Sequence, residues 1–173
     1  RAGGASDVDG YEVNRRTQYL GGWIDHCGWS PEWRLRLVRR GRAAWTGVDP
    51  HDRLEVPGRA ERLDGRLCHL PYRSLSHHLG KVNQYTDIMA DRRFQAGERS
   101  SAVALLLRPP ARFVRMYLLR AGFLDGWRGF VVSALGAFYV FLKYAKLRDL
   151  WRRQPGGHAS PLTAPGAGTP SLP

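Results

Sequence analysis

The stretch Leu67–Met89 reads LCHLPYRSLSHHLGKVNQYTDIM, and its two parts obey different periods. Leu67 to Leu70 is a short run of strand type that ends at Pro71. From Ser74 the spacing becomes helical. Leu75, Leu79, Val82, Tyr85 and Met89 fall at i, i+4, i+7, i+10 and i+14, one face of a helix. Ser74 or Ser76 is placed to cap that helix, and Gly97 to stop it. The chain therefore mixes strands with helices.

Toward the N-terminus the strand signals continue. Trp33, Leu35 and Leu37 alternate with Arg34 and Arg36, which predicts a half-buried strand over Glu32 to Arg39. Asp49-Pro50 and Pro57-Gly58 mark turns on either side of Leu54-Glu55-Val56. Residues 1–10 are small and polar and read as loop. The chain begins at Arg1 and no apolar signal segment follows, so a piece of something longer is expected.

Toward the C-terminus the text turns apolar. A second helix is expected from Arg108-Pro109-Pro110, because proline suits a first helical turn. Gly122 ends or bends it, and a third helix runs from about Trp127 to Leu150. Its section from Gly129 to Leu142 carries no charge. At ~1.5 Å per residue that section covers about 21 Å, short of the ~30 Å hydrocarbon core. The pair of helices is expected to lie in a membrane interface or dip into it rather than cross it. Residues 154–173 hold five prolines and four glycines and no formal charge, and read as a disordered tail.

Composition bounds the function classes. The chain has 173 residues with 43% hydrophobic and 11% aromatic content, enough for a core, which excludes global disorder. Two cysteines exclude a disulfide-rich scaffold. The formal charge is +12. It concentrates over residues 112–153, where nine Lys and Arg stand against Asp125 and Asp149. Cations bracketing long apolar runs suit an anionic lipid surface. A nucleic-acid surface has no use for the run from Phe130 to Leu142, so nucleic acid is the weaker reading and no nucleic-acid partner is expected.

Several groups could carry chemistry. Asp52, beside His51 in a stretch of turn residues, could act as a general base; most such aspartates only form turns. His69, at a strand end before a helix start, could touch a metal or a phosphate, against the commoner role of a buried, hydrogen-bonded histidine. His26-Cys27 and Cys68-His69 lack looped zinc spacing and read better as free buried cysteines. His77-His78 reads as a solvated helix face. Arg34, Arg36, Arg39, Arg40 and Arg42 could grip a diphosphate or could simply edge a strand in solvent.

Taken together, the text resembles the C-terminal half of bacterial family-two glycosyltransferases of the lipopolysaccharide core-biosynthesis branch. The resemblance is carried, in order, by Leu20-Gly21-Gly22-Trp23-Ile24, Gly28-Trp29-Ser30-Pro31 and Arg34 to Gly41, then by His51 to Val56. It continues through His69-Leu70-Pro71-Tyr72-Arg73-Ser74-Leu75, Asn83-Gln84-Tyr85-Thr86 and Arg108 to Lys146. It implies an α/β GT-A-like fold with a mixed sheet, followed by long amphipathic helices. Residues 11–98 would be the acceptor-side half of the catalytic domain and 99–153 a membrane-associating helical region.

The resemblance also implies transfer of a sugar (hexosyl or heptosyl) from a nucleotide-sugar donor to a lipid-linked saccharide acceptor. A divalent metal, Mg or Mn, is expected with it. The place of the enzyme would be peripheral or monotopic, on the cytoplasmic face of the bacterial inner membrane, against an anionic membrane surface. Asp52 stands where the family usually has Glu and would be the base. His51, Arg36, Tyr72 and Arg73 would contact substrate, and His69 metal or diphosphate. The family's nucleotide-binding units and its Asp-x-Asp metal motif have no counterpart here; Asp7-Val8-Asp9 reads as loop. This chain alone is expected to be inactive, and a non-catalytic membrane-associated module is the alternative.

Overall fold

A computed structural model describes residues 8–47 and 53–154. The elements in chain order are β1 (Val8–Tyr19), β2 (Gly22–Ile24), β3 (Glu32–Val38), β4 (Ala44–Thr46), β5 (Arg53–Glu55) and β6 (Arg59–His69). Three helices follow, α1 (Leu75–Gln95), α2 (Ala102–Val114) and α3 (Gly126–Arg153). A π turn at Arg115–Leu119 and a 3-10 turn at Gly122–Asp125 join α2 to α3. Strands and helices are thus mixed, as in an α/β protein.

β1 is the centre of the sheet. One of its edges carries β6, parallel, from Val8↔Arg59 to Thr17↔His69. The other edge carries two antiparallel partners in succession, β2 along Thr17–Tyr19 and β3 along Gly10–Arg15. The β1–β2 hairpin turns through Leu20 and Gly21, both at positive φ, the turn that matches strand twist. Residues 25–31 leave the ladder between β2 and β3 as an excursion on one sheet edge. β4 and β5 form a separate antiparallel ribbon.

The strand expected at Glu32 to Arg39 forms, and the run at Leu67 belongs to a longer strand. Val8, Asp9 and Gly10, expected as loop, form the start of β1 because β3 and β6 flank them on both edges. The Asp52 and His51 assignments, Asp7 and the tail from Pro155 lie outside the described residues.

Helix α1 starts as expected: the Ser74 hydroxyl accepts the His77 backbone N–H at 3.1 Å. Its buried face differs. His78, Val82, Thr86 and Ala90 point inward, while Leu75 and Leu79 are exposed. The inward stripe is set by what α1 packs on, the aromatic rings of the sheet and α3, and a rotation of one position brings His78 rather than Leu79 to that surface.

Helix α2 begins before the expected point. Ser101 caps it through the Ala104 N–H at 3.0 Å, so Pro109 and Pro110 lie inside the helix rather than in its first turn. Each proline removes an intrahelical donor.

Helix α3 is longer than its uncharged section. The stretch Gly122–Arg153 is long and apolar enough, by length and composition, to cross a membrane, with mean hydropathy 1.5. Here it packs along α1 and α2. Lys146 Nζ bonds the Asn83 carbonyl at 2.9 Å and Asp87 at 2.6 Å, and Tyr144 and Leu147 are buried with Ala90 of α1. Residues of α2 and α3 therefore share a core with α1.

The second core joins sheet to helices. Tyr19, Ile24, Cys27, Met116 and Val132 are buried together. Small residues allow that contact. A Cβ on Gly122 would lie 2.7 Å from Cys27 Sγ and 2.8 Å from the Met116 carbonyl oxygen, and one on Gly129 would fall on the Gly122 carbonyl.

Candidate functional site

The excursion 25–31 and the β6–α1 linker face each other across the end of the sheet. Between them lies a cleft of about 510 Å³. Arg15 and Thr17 of β1, Glu32 and Arg34 of β3, and His69 at the end of β6 form its floor. Trp29 and Tyr72 stand at its side. Strand alternation explains the floor: positions 15 and 17, and 32 and 34, each share a face.

The charges on the floor are ordered. Glu32 accepts both Arg15 Nε (2.7 Å) and Arg15 Nη2 (2.8 Å), and Arg34 Nε at 2.9 Å. Burial alone would raise the Glu32 pKa, but these two guanidinium groups overcome it and hold the carboxyl below its usual range. Glu32 is thus a fixed anion that orients two arginines and not a proton acceptor. His69 is partly buried. Burial lowers its pKa first, Arg15 and Arg36 lower it further, and Glu32 partly offsets them. A neutral imidazole at this place can donate to or accept from a hydroxyl or phosphate oxygen.

The side of the cleft is an aromatic box. His78 and Tyr72 stack with ring centroids 3.8 Å apart, and Tyr19 meets both edge-on. Tyr19 Oη lies 2.8 Å from His78 Nδ1. Burial, with repulsion from His77, pushes His78 down to about 4, and burial with Tyr72 pushes Tyr19 up to about 12. Both are neutral at pH 7, as a dry box requires. His78 is therefore a buried group and not part of a solvated face, whereas His77 is exposed.

A third set of contacts holds the excursion in place. The Asp125 carboxylate accepts the backbone N–H groups of Asp25 (3.1 Å) and His26 (2.9 Å) and lies 2.8 Å from His26 Nδ1. Cys27 N–H reaches the Arg120 carbonyl at 3.0 Å. Arg128 Nε reaches the Leu20 carbonyl at 3.0 Å and fills the space beside Gly22. Cys27 is buried and Cys68 exposed, and both are free, so the buried-cysteine reading holds for one of the two.

Of the residues singled out in the sequence, Arg34, His69 and Tyr72 meet at the cleft, with the Arg36 charge near enough to act on His69. Arg73 lies next to Tyr72 with its backbone N–H on His77 Nδ1 at 3.2 Å, and its side chain is not part of the lining. Arg15, Thr17, Glu32 and Trp29 were not singled out as site residues. Glu32 carries a weak signal in sequence, an acid heading an Arg-x-Arg alternation, but its pairing with Arg15 across 17 positions carries none.

Among the described residues no three His, Cys, Asp or Glu side chains come together as a metal ion needs. His69 is moreover flanked by arginines. Among the described residues, the groups around His69 do not make up a divalent-cation site.

No family model matches the chain, and no solved structure matches it. Curated proteins do. The chain is 29% identical over 150 residues to a Rhizobium meliloti (strain 1021) protein named lipopolysaccharide core biosynthesis glycosyltransferase LpsC, covering 83% of this chain and 54% of that protein. It is 31% identical over 97 residues to uncharacterized glycosyltransferase RP128 of Rickettsia prowazekii (strain Madrid E), covering 56% of this chain and 33% of that one. A similar match, 31% over 93 residues, is to uncharacterized glycosyltransferase RT0209 of Rickettsia typhi (strain ATCC VR-144 / Wilmington). The chain spans about half the length of LpsC and about a third of the two Rickettsia proteins. By sequence, then, the chain is a relative of bacterial proteins named glycosyltransferases, as the resemblance in its own motifs implies.

Proposed function

We propose that the chain forms the acceptor side of a glycosyltransferase that moves a hexosyl or heptosyl unit from a nucleotide-sugar to a lipid-linked saccharide in lipopolysaccharide biosynthesis. The observation that supports it is the cleft: an arginine-rich floor, a neutral histidine and two aromatic side walls, on a chain related to LpsC. Aromatic faces and hydrogen-bonding side chains suit a saccharide, and arginine forks suit phosphate oxygens.

In this reading Asp52, beside His51, takes the proton of the acceptor hydroxyl as that oxygen attacks the anomeric carbon and the nucleoside diphosphate leaves. Arg15 and Arg34, with Arg36 behind them, meet negative charge on the substrate. His69 contacts a phosphate or hydroxyl oxygen rather than a metal, and Tyr72 and Trp29 flank the sugar. Arg73 contributes from the rim. The nucleotide and the expected divalent cation, Mg or Mn, are held by residues other than those described. The GT-A-like character of the sheet belongs to this proposal.

Membrane association is part of the same reading. The outer faces of α2, α3 and the two turns between them expose Leu106, Leu107, Leu119, Phe123, Trp127 and Phe141 beside a strongly basic segment. Apolar rings with flanking cations suit an anionic lipid surface, which supports the reading of a peripheral or monotopic enzyme at the cytoplasmic face of the inner membrane.

The test is transfer from radiolabelled nucleotide-sugars to membrane lipid acceptors by the full-length enzyme and its Asp52→Asn variant. Loss of transfer with donor binding kept supports the reading. Equal transfer by the variant removes Asp52 as base. The exposed apolar faces also favour a second reading, a non-catalytic membrane-associated module, and vesicle binding with no transfer by the intact enzyme would select it.

A further inference from the structure

The helices enclose a second hollow. It measures about 410 Å³ and lies between α1, the end of α2 with its π turn, and α3. Its wall is largely apolar, with Val82, Met116, Val132, Leu135 and Val140. Two cations, Arg112 and Lys143, line it, and among the described residues no carboxylate does. Gly136 makes the room: a Cβ there would lie 2.6 Å from Met116 Sδ and 3.9 Å from Arg112 Nε.

The cations are unbalanced. Lys143 is half-buried against the rings of Tyr139 and Tyr144, at 5.9 and 5.0 Å from their centroids. Burial lowers its pKa, and repulsion from Arg93, Arg108 and Arg112 lowers it further, with Glu98 acting the other way. Glu98 is already paired with Arg93. Arg112 lines the same hollow but is largely exposed, and partial burial with Arg115 lowers its pKa. A pocket that gathers like charges without a counter-charge has unmet demand for an anion.

We propose that this hollow seats the phosphate group of an amphipathic lipid, with Arg112 and Lys143 on the phosphate and the first part of the chain along the apolar wall. Charge complementarity selects the phosphate. The wall, continuous with helices that expose Leu106, Leu107 and Phe141, selects a lipid over a free ion. The assignment deepens the reading of a lipid-linked acceptor and rests on it. Trp29 and Tyr72 line both this hollow and the sugar cleft, so a lipid phosphate here would lie one aromatic layer from the saccharide.

The experiment titrates the chain with dihexanoyl phosphatidic acid kept below its micelle concentration, so that no membrane surface is present. Dihexanoyl phosphatidylcholine and inorganic phosphate are the controls, and tryptophan fluorescence is the readout. Saturable binding of the phosphatidic acid, at least about tenfold tighter than either control, is expected, and so is a loss of about tenfold or more in Arg112→Gln/Lys143→Gln. Equal binding of phosphatidylcholine, or of inorganic phosphate, overturns the proposal. So does unchanged affinity in the double variant. Where that variant fails to fold, the comparison of the three ligands on the unaltered chain decides. Failure here leaves sugar transfer by the full-length enzyme untouched, whereas failure of transfer would leave this titration standing, so the two readings fail separately.

Discussion

The Asp125 carboxylate and the backbone N–H of His26 meet at 2.9 Å across 99 positions of sequence. Asp125 stands just before α3 and His26 in the excursion that forms one side of the cleft. A buried side chain, 5% exposed, thus ties that excursion to the helices, beside the Cys27 N–H bond to the Arg120 carbonyl. Asp125→Ala would leave two backbone donors and the His26 ring without their acceptor. The expected cost is about 2–4 kcal/mol, read as a lower denaturant midpoint. Under the proposed function, the same change would loosen Trp29 and raise KM for the acceptor. A midpoint within experimental error of wild type would show that the excursion is held by other contacts.

Gly129 is where α3 meets the turn before it. Because a Cβ there would fall on the Gly122 carbonyl, Gly129→Ala must move the helix or the turn. A loss of about 2 kcal/mol or more is expected. Gly80 has open space around the same position and is the control: Gly80→Ala should be neutral or stabilising by up to about 1 kcal/mol. Thermal melts of the two variants side by side check both.

His78 gives the fold a pH dependence. Its folded pKa is about 4, against about 6.5 in an unfolded chain. A depressed histidine pKa means that the unfolded state binds the proton first. Stability from this group is therefore full above about pH 6.5 and is lost as pH falls toward 4, by roughly 3 kcal/mol. Melting temperatures of wild type and His78→Phe should converge or cross between pH 7 and pH 5. Parallel curves for the two would sink the assignment.

The two thiols should react at different rates. Cys68 is exposed, while burial raises the Cys27 thiol pKa, with the neighbouring Asp125 adding to it and the Ser133 contact opposing it. Since the thiolate is the reactive form, a disulfide reagent at pH 8 should titrate one thiol quickly in the folded chain and both in denaturant. Two fast thiols in the folded protein would contradict the burial of Cys27.

Local signals were legible and long-range ones were not. The Trp33-Arg34-Leu35-Arg36 alternation and the Ser74 cap depend on neighbours in sequence, and both elements form where they were expected. The prolines at 109 and 110 misled because a cap eight residues upstream, Ser101, overrides their preference for a first turn. The buried face of α1 could not be read from apolar spacing, since its contacts are Tyr19, Tyr72 and α3, and a histidine takes the central position. In the cleft His69 and Tyr72 were found from motif, but Glu32 with Arg15 required the register of β1 against β3. Asp52 and His51, the proposed base and its neighbour, lie outside the described residues.

Trp29 and Tyr72 have a consequence as a party wall. Each residue lines both the polar cleft and the more apolar hollow, and Tyr72 is also stacked on His78. Rings packed edge to face do not turn independently, because tilting one opens a gap behind it that the others must fill. An occupant that tilts either ring reshapes both rooms at once. Thermodynamic reciprocity then makes the two occupancies correlated, each raising or lowering the affinity of the other by the same factor.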